Sequence, residues 1–217
     1  MTLQWQIGSE TNLLLFFPKP ISLDKQKKCW ALADIIETMP EVIEVIIGMN
    51  TLSVFSHPLA WDEFKALQNK LTALLEEIPE KTIDGKHIEI PVHYGGKYGP
   101  DLAAMAASLE MPIDAVVDLH TSAIYTVYFI GFQPGFPYLG GLSESLHFPR
   151  HTTPRTHVPA GSVGIGGEQT GIYPFASPGG WQLLGQTDTD LFDLTKDSPT
   201  LLSAGDTLCF TAIDIHE

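Results

Sequence analysis

The first forty residues combine a strand pattern with a helix pattern. Residues 13–17 form a continuous apolar run, which is typical of a short strand. Ser22 can cap a helix, because apolar side chains then recur every three or four residues until Pro40 ends the pattern. This segment therefore predicts one strand followed by one amphipathic helix.

The next segment repeats the alternation of strands and helix. Residues 42–47 and 52–55 predict a hairpin, since a Gly-Met-Asn turn separates two apolar runs. Residues 61–77 predict a second helix with acidic side chains in its first turn. With residues 87–92 as the last strand, the order becomes β-α-β-β-α-β, the ferredoxin-like arrangement. We therefore predict an α+β N-terminal domain of this topology.

A polar stretch separates this pattern from the rest of the chain. Residues 76–86 contain Pro79 and Gly85 but few apolar side chains, which is typical of a linker. The sequence therefore predicts two domains, residues 1–84 and residues 85–217.

Glycine and proline dominate the second half. After two predicted short helices at residues 99–109 and 112–121 and a strand at residues 124–132, residues 131–185 contain 12 Gly and 7 Pro but only four charged side chains. Seven aromatic residues in the same stretch indicate a packed core with many fixed turns. Short strands joined by such turns predict a mainly β domain with a closed barrel, for which residues 191–210 supply the closing strands.

The charge balance excludes several classes of function. The chain has 26 acidic and 12 basic side chains and a formal net charge of −14, which does not suit binding to nucleic acid or to an anionic membrane. Its apolar runs are far shorter than the about 20 residues that span a bilayer, and no secretory signal is visible. Cys29 and Cys209 give neither a disulfide framework nor a zinc pattern. We therefore expect a protein of the cytoplasm with no nucleic-acid or membrane partner.

The cationic side chains are unevenly distributed. Ten of the 12 are lysines, and the two arginines, Arg150 and Arg155, both lie in the glycine-rich stretch. A guanidinium binds a carboxylate or phosphate through two parallel hydrogen bonds. Either arginine is therefore a candidate anion ligand; the alternative is that each one ties loop carbonyls together.

Histidines offer two further candidates. The spacing of His147, His151 and His157 invites a metal interpretation, but a proline-interrupted loop gives no reason for three ligands to converge, and we predict no metal site. His120 stands just before the aromatic strand, where it would act as a general base or as a favourable residue at a helix C-terminus. Both roles of His120 stay open.

Nucleotide and nucleophile motifs are absent in their standard form. Residues 161–167 are rich in glycine, but no strand leads straight into them, no helix pattern follows, and no Gly-Lys-Ser/Thr ending of a phosphate loop occurs. Ser162 resembles the centre of a nucleophile elbow without the strand-to-helix turn that such an elbow needs. The chain therefore offers no recognisable ATP site of its own.

Several motifs together resemble a known family. They are IPVHYGGKYGPD at residues 90–101, GFQPGFPYLGGL at residues 131–142, VPAGSVG at residues 158–164 and SPGGW at residues 177–181. The set is similar to the family variously called the B subunit of 5-oxoprolinase, Kip-type sensor-kinase inhibitor and allophanate hydrolase subunit 1. The likeness is dense over residues 87–212 and looser before them.

The resemblance implies a cyclophilin-like β-barrel after a small α/β domain, and it carries three functions. One is a subunit of ATP-dependent 5-oxoprolinase, a cyclic amide hydrolase that converts 5-oxo-L-proline to L-glutamate with A and C partner subunits. The others are a protein inhibitor of a sensor histidine kinase and a subunit of the allophanate hydrolase or urea carboxylase type. We favour the oxoprolinase subunit, because a short chain without a biotin-carrier segment does not resemble the large fused carboxylases and the kinase-inhibitor role is a specialised one. We expect the chain to be inactive alone, because lactam opening needs coupling to ATP and the chain lacks a nucleotide motif.

This function suggests roles for individual residues. Arg150 or Arg155 would hold the substrate carboxylate or a phosphoryl oxygen, and His120 would transfer protons. Gln186 departs from the family pattern, which often has arginine there, and this puts a cationic role at that position in doubt. The other residues expected to bind substrate are uncharged: Gln169, Thr170, Tyr173 and, in the aromatic loop, Phe136.

Overall fold

The computed structural model describes residues 3–81 and 83–216, and the chain divides into two compact units, Met1–Ile83 and Asp84–Glu217. The elements of the first unit are β1 (Gln4–Ser9), β2 (Asn12–Phe16), α1 (Leu23–Ile36), β3 (Val42–Gly48), β4 (Thr51–Ser56) and α2 (Trp61–Glu77). Its four strands form one antiparallel sheet in the order β1-β2-β4-β3. The two helices and the sheet enclose a hydrophobic core.

Local sequence signals position α1 and the β3-β4 hairpin. The hydroxyl of Ser22 accepts a hydrogen bond from the backbone N–H of Lys25 at 3.4 Å and so caps α1. Asn50, in the turn of the hairpin, takes a φ of 52°, which asparagine tolerates better than most residues. The predicted first helix, second helix and hairpin are confirmed.

The predicted ferredoxin-like order is wrong. The strand expected at residues 87–92 does not join the first sheet; it pairs within the barrel of the second unit. A strand that was not predicted, β1, pairs with β2 instead. The observed order is therefore β-β-α-β-β-α. Sequence period alone could not assign residues 87–92 to a sheet, because a strand pattern does not specify its partner.

The second unit is built on a closed barrel. Its elements are β5 (His87–Gly95), α3 (Leu102–Ser108), α4 (Ile113–Thr121), β6 (Tyr125–Ile130), β7 (Pro137–Gly140), a 3₁₀ turn (Glu144–Leu146), β8 (Arg155–Val158), β9 (Ser162–Gly166), β10 (Gln169–Ile172), β11 (Ser177–Gly179), β12 (Gln182–Gln186) and β13 (Thr207–His216). Seven strands close in the order β10-β7-β6-β13-β5-β12-β9, and β8 and β11 form a separate two-stranded ribbon. The predicted closed barrel is confirmed.

One pairing in the barrel is parallel. β13 runs alongside β5 over nine residue pairs, and β6 flanks the start of β13 on its other side. Of residues 191–210, which were expected to provide the closing strands, only those from Thr207 onward belong to a strand; Phe192 and Thr200 form an isolated bridge. No described helix is both long and apolar enough to cross a membrane.

Candidate functional site

The barrel unit carries a cavity of about 250 Å³ with mainly aromatic walls, here called the aromatic cavity. Pockets for drug-sized ligands start at about 300 Å³, so this volume suits a small molecule. The ribbon of β8 and β11 borders one side through Pro178 and Gly179. The residues lining the aromatic cavity are Phe132, Phe136, Tyr138, Arg150, Pro154, Tyr173, Pro178, Gly179, Gly180 and Trp181.

Phe136 is the centre of the aromatic wall. Its ring meets Tyr173 edge to face, with centroids 5.2 Å apart and planes at 87°, and meets Trp181 at 5.5 Å and 83°. Edge-to-face pairs at such distances are favourable beyond the area that they bury. Phe136, Tyr173 and Trp181 are almost wholly buried. The wall is therefore held rigidly before any ligand arrives.

Two glycines explain how these rings fit against the strands. A Cβ at Gly166 would lie 2.5 Å from Nε1 of Trp181, and a Cβ at Gly179 would lie 2.6 Å from the hydroxyl oxygen of Tyr173. Any larger residue at either position would displace a wall ring. The glycine density in the sequence thus has a specific cause here: aromatic rings occupy the space that side chains would otherwise take.

Phe132 stands at the edge of the cavity in an unusual backbone conformation. The N–H of Gln133 donates to the carbonyl of Gly131 at 2.7 Å, which closes a three-residue turn around Phe132, and the φ of Phe132 is 64°. A turn of this kind with positive φ is rare and strained for a residue other than glycine. Phe132 is 61% exposed, and its ring lies nearly perpendicular to the rings of Phe136 and Tyr173. Strain of this kind concentrates at ligand sites.

Arg150 brings the positive charge to the aromatic cavity. Its guanidinium carbon lies 5.6 Å from the centroid of the Trp181 ring. No carboxylate of the described residues lies within ion-pair distance of Arg150, and its side chain is exposed. The guanidinium therefore keeps its hydrogen-bond donors available for an anion.

Two tyrosines add uncharged donors. Burial raises the pKa of Tyr138 and of Tyr173, and the nearby Arg150 offsets part of that rise in each case. Both phenols are therefore protonated at neutral pH. Each protonated hydroxyl can therefore donate a hydrogen bond to a ligand.

Arg155 lies in a different environment from Arg150. Its Nη2 contacts Oδ1 of Asp101 at 2.5 Å, and Oδ2 of Asp101 accepts the backbone N–H of Leu183 at 2.7 Å. His151 approaches the same carboxylate with its Nε2 at 3.3 Å. Asp101 is buried. Arg155 therefore connects the ribbon strand β8 to the barrel strand β12 and does not line the cavity.

His120 lies in the barrel interior and not in the aromatic cavity. Its Nδ1 is 2.7 Å from the Tyr94 hydroxyl and its Nε2 is 3.0 Å from Oγ1 of Thr170, whose hydroxyl is 3.0 Å from the Gly164 carbonyl. Because Thr170 has one proton and donates it to Gly164, His120 donates from Nε2 and accepts at Nδ1. Burial lowers the pKa of His120 to about 3. The imidazole is therefore neutral, and both of its nitrogens are satisfied.

The residues expected to bind substrate consequently separate into groups. Phe136, Tyr173 and Arg150 meet in the aromatic cavity. Thr170 is buried beside His120, and Gln169, its neighbour in β10, faces the other side of the strand and is half-buried. Trp181, which lines the aromatic cavity, and Asp101, which pairs with Arg155, were not among the predicted site residues. Each stands in a motif that carries the family resemblance, SPGGW and KYGPD.

One group among the described residues has the geometry of metal ligands: His93, Asp214 and His216. Their ligand atoms all lie within 4.8 Å of one another. The loop histidines that the sequence analysis weighed are not part of this group, and none of its members lines the aromatic cavity. Sequence spacing gave no signal for it, because β5 and β13 are far apart in the chain.

Comparison with known proteins agrees with this architecture. Residues 3–202 match the family model for the carboxyltransferase domain, subdomain C and D. The urea amidolyase of K. lactis has the same fold, with a TM-score of 0.81 at 21% identity; the match covers 98% of this chain and 15% of that longer protein.

Two curated relatives are much closer in sequence. The B subunit of 5-oxoprolinase from Haemophilus influenzae is 50% identical over 202 residues, which cover 93% of this chain and 94% of that protein. The protein of the same name from Escherichia coli O157:H7 is 50% identical over 204 residues, covering 93% of this chain and 92% of that protein. The chain therefore belongs to the family of 5-oxoprolinase B subunits.

Proposed function

We propose that this chain is the substrate-binding subunit of an ATP-dependent 5-oxoprolinase, and that 5-oxo-L-proline binds in the aromatic cavity. The observation that carries the proposal is a guanidinium without a carboxylate partner among the described residues, that of Arg150, over a rigid aromatic wall. The substrate is a small flat lactam with one carboxylate. Its ring would pack against Phe136 and Trp181 while its carboxylate pairs with Arg150.

The two tyrosines would orient the lactam amide. Tyr138 and Tyr173 are protonated at neutral pH because burial raises their pKa values. A hydroxyl donor suits the lactam carbonyl oxygen, and it would polarise that carbonyl toward attack by water. Donors of this kind stabilise charge that develops on oxygen, but they remove no proton from water.

The cavity lacks a base of its own. Among the described residues that line it there is no carboxylate, histidine or lysine, and His120 lies elsewhere with both nitrogens bonded. General bases must be within hydrogen-bond reach of the proton that they take. We infer that partner subunits, named A and C in this family, complete the site and that the chain alone is inactive.

ATP would bind to a partner as well. Protein sites for triphosphates combine basic side chains with backbone N–H groups at a glycine-rich loop, whereas Arg150 is the sole cation among the described residues that line the aromatic cavity. In this proposal ATP is a cosubstrate of the complex, which acts in the cytoplasm, and this chain binds the lactam.

The subunit dependence is tested with purified proteins. ATP-dependent release of glutamate from 5-oxo-L-proline is measured for the chain alone, for its partners alone and for the mixture. We expect turnover only in the mixture, and binding of 5-oxo-L-proline to the lone chain by calorimetry. Full turnover by the lone chain would disprove the shared site.

A matched pair of substitutions tests the carboxylate ligand. Arg150→Lys and Arg155→Lys each keep the charge but remove the planar fork. A charge-assisted hydrogen bond contributes about 1.5–3 kcal/mol, so Arg150→Lys should lower substrate affinity and kcat/KM of the complex roughly tenfold to over a hundredfold. Arg155→Lys should lower the melting temperature and keep the efficiency per folded molecule. Unchanged efficiency in both variants would reject the proposed site.

A further inference from the structure

The outer side of the β5-β13 pair brings together two histidines and one aspartate. Oδ1 of Asp214 lies 2.8 Å from Nδ1 of His93 and 3.1 Å from Nε2 of His216. Zinc bonds of about 2.0–2.1 Å in tetrahedral geometry place neighbouring ligand atoms about 3.3 Å apart. The two measured separations are therefore close to those of a metal-bound set.

An irregularity in strand pairing produces this convergence. Ala212 pairs with Val92 and Asp214 with His93, so Ile213 is an extra residue in β13. If the register of the preceding pairs continued without this shift, Ile213 would pair with His93 and Asp214 with Tyr94, which is fully buried in the barrel core. The bulge turns the carboxylate to the side of His93. Bulges in parallel pairs are uncommon, and bulges often re-aim a side chain at a site.

Two glycines and one aromatic ring fix the position of His216. A Cβ at Gly95 would lie 1.9 Å from the carbonyl oxygen of His216, and one at Gly96 would lie 2.9 Å from its Cβ. The ring of Tyr98 stacks on His93, with centroids 4.9 Å apart, and packs against His216 at 5.5 Å. Both imidazoles are thus held before binding, which reduces the entropy that a ligand must overcome.

We propose that His93, Asp214 and His216 form a binding site for one divalent transition-metal ion of the zinc or nickel class. Two imidazole nitrogens and a carboxylate suit these ions, whereas magnesium and calcium prefer oxygen ligands alone. Three protein ligands leave at least one coordination position for water or another ligand. This site is separate from the aromatic cavity, and its existence does not depend on the proposed oxoprolinase function.

The competing explanation is a hydrogen-bonded triad without metal, in which both imidazoles donate N–H groups to Oδ1 of Asp214. The two explanations differ in what they require. In a triad without metal, substitution of a member changes only the stability of the protein. A metal site binds one ion per chain, and its affinity for the ion falls when any ligand is removed.

Calorimetry in a non-chelating buffer measures the binding of Zn²⁺, and separately of Ni²⁺, to the full chain. Any affinity tag is removed beforehand. We expect one ion per chain. Loss of an outer partner of a metal ligand costs about 10–100-fold in affinity, so Asp214→Asn and His216→Gln, which remove ligands, should each weaken Zn²⁺ binding at least tenfold. His93→Gln on the other strand should do the same.

His57→Gln is the matched control, because it removes an exposed histidine of the first unit. It should leave the affinity for Zn²⁺ unchanged. Circular dichroism establishes whether each variant is folded. We expect folding because the side chains of Asp214 and His216 are exposed. Absence of Zn²⁺ binding by the wild-type chain up to about 1 mM, or equal binding by the folded ligand variants, would overturn the proposal.

Discussion

His120 and Arg150, two polar residues of the barrel unit, differ in how far the protein provides partners for their hydrogen-bonding groups. His120 is wholly buried, and its ring nitrogens are bonded to Tyr94 and Thr170. Arg150 is exposed, lies over the ring of Trp181 and has no carboxylate partner among the described residues. A satisfied buried network stabilises one structure, whereas unused donors beside a concave wall are available to a ligand. Burial alone therefore does not identify the binding residue in this protein.

The largest expected effect is the loss of the interior network. His120→Leu removes the partner of the Tyr94 hydroxyl and the ring that stacks on Phe210 at 4.5 Å. An unsatisfied buried donor costs about 1–3 kcal/mol, and with the lost packing we expect the free energy of unfolding to fall by roughly 3 kcal/mol. Urea denaturation measures this loss. His57→Leu, at an exposed position, should change stability far less.

The catalytic efficiency of the same variant tests whether His120 has a role beyond stability. If His120 only stabilises the barrel, kcat/KM of the complex per folded molecule stays within about twofold of wild type. A hundredfold loss of kcat in folded protein would instead make His120 a functional residue. The contrast between a purely structural His120 and a ligand-binding Arg150 would then be wrong.

A smaller loss of stability is expected at Asp101, which fixes the second arginine. Asp101→Asn removes the charge that pairs with Arg155 while keeping an acceptor for the Leu183 N–H. Because Arg155 is about one-third exposed, we expect a cost of about 1–3 kcal/mol, below that of a fully buried pair. Asp118→Asn is the exposed control. Equal stability of the two variants would contradict a supporting role for the Asp101–Arg155 pair.

The contrast between the two arginines shows where sequence reasoning reached its limit. Helix period, the Ser22 cap and the turn before β4 were enough to predict α1, α2 and the hairpin. Glycine and proline density predicted the closed barrel. The sequence could not separate Arg150 from Arg155, because the carboxylate that occupies Arg155 is 54 residues away in the chain.

Two further features could not be predicted from the sequence: the face of a strand on which a residue lies, and the strand with which it pairs. Gln169 and Thr170 are adjacent, so one faces the barrel interior and the other does not, and composition cannot tell which. The parallel pairing of β13 with β5 depends on the closed barrel as a whole. The group of His93, Asp214 and His216 exists only because of that pairing, and its ligand spacing is invisible along the chain.

Acid should destabilise the protein through His120. Burial lowers the pKa of His120 to about 3, whereas the unfolded chain takes up this proton near pH 6.5. The unfolded state therefore binds more protons between these values, and stability falls as the pH drops from 6.5 toward 3. The slope is at most about 1.4 kcal/mol per pH unit, so about 2 kcal/mol is lost by pH 5.

Comparison with a variant isolates this contribution from other titrating groups. His120→Asn cannot take up the proton, so its free energy of unfolding should fall less between pH 7 and pH 5 than that of wild type. Urea denaturation at both pH values gives the two differences. Identical differences would show that the interior network does not resist protonation.

The smallest effect concerns the strained edge of the aromatic cavity. Phe132→Gly and Phe132→Ala remove the same ring contacts, but only glycine accepts a φ of 64° without a Cβ clash. We expect the glycine variant to be more stable than the alanine variant by about 1 kcal/mol. Both should bind 5-oxo-L-proline roughly twofold to tenfold more weakly than wild type, because an aromatic contact contributes about 0.5–1.5 kcal/mol. Equal stability of the two variants would mean that the turn at Phe132 is unstrained, and unchanged affinity would place the ring outside the site.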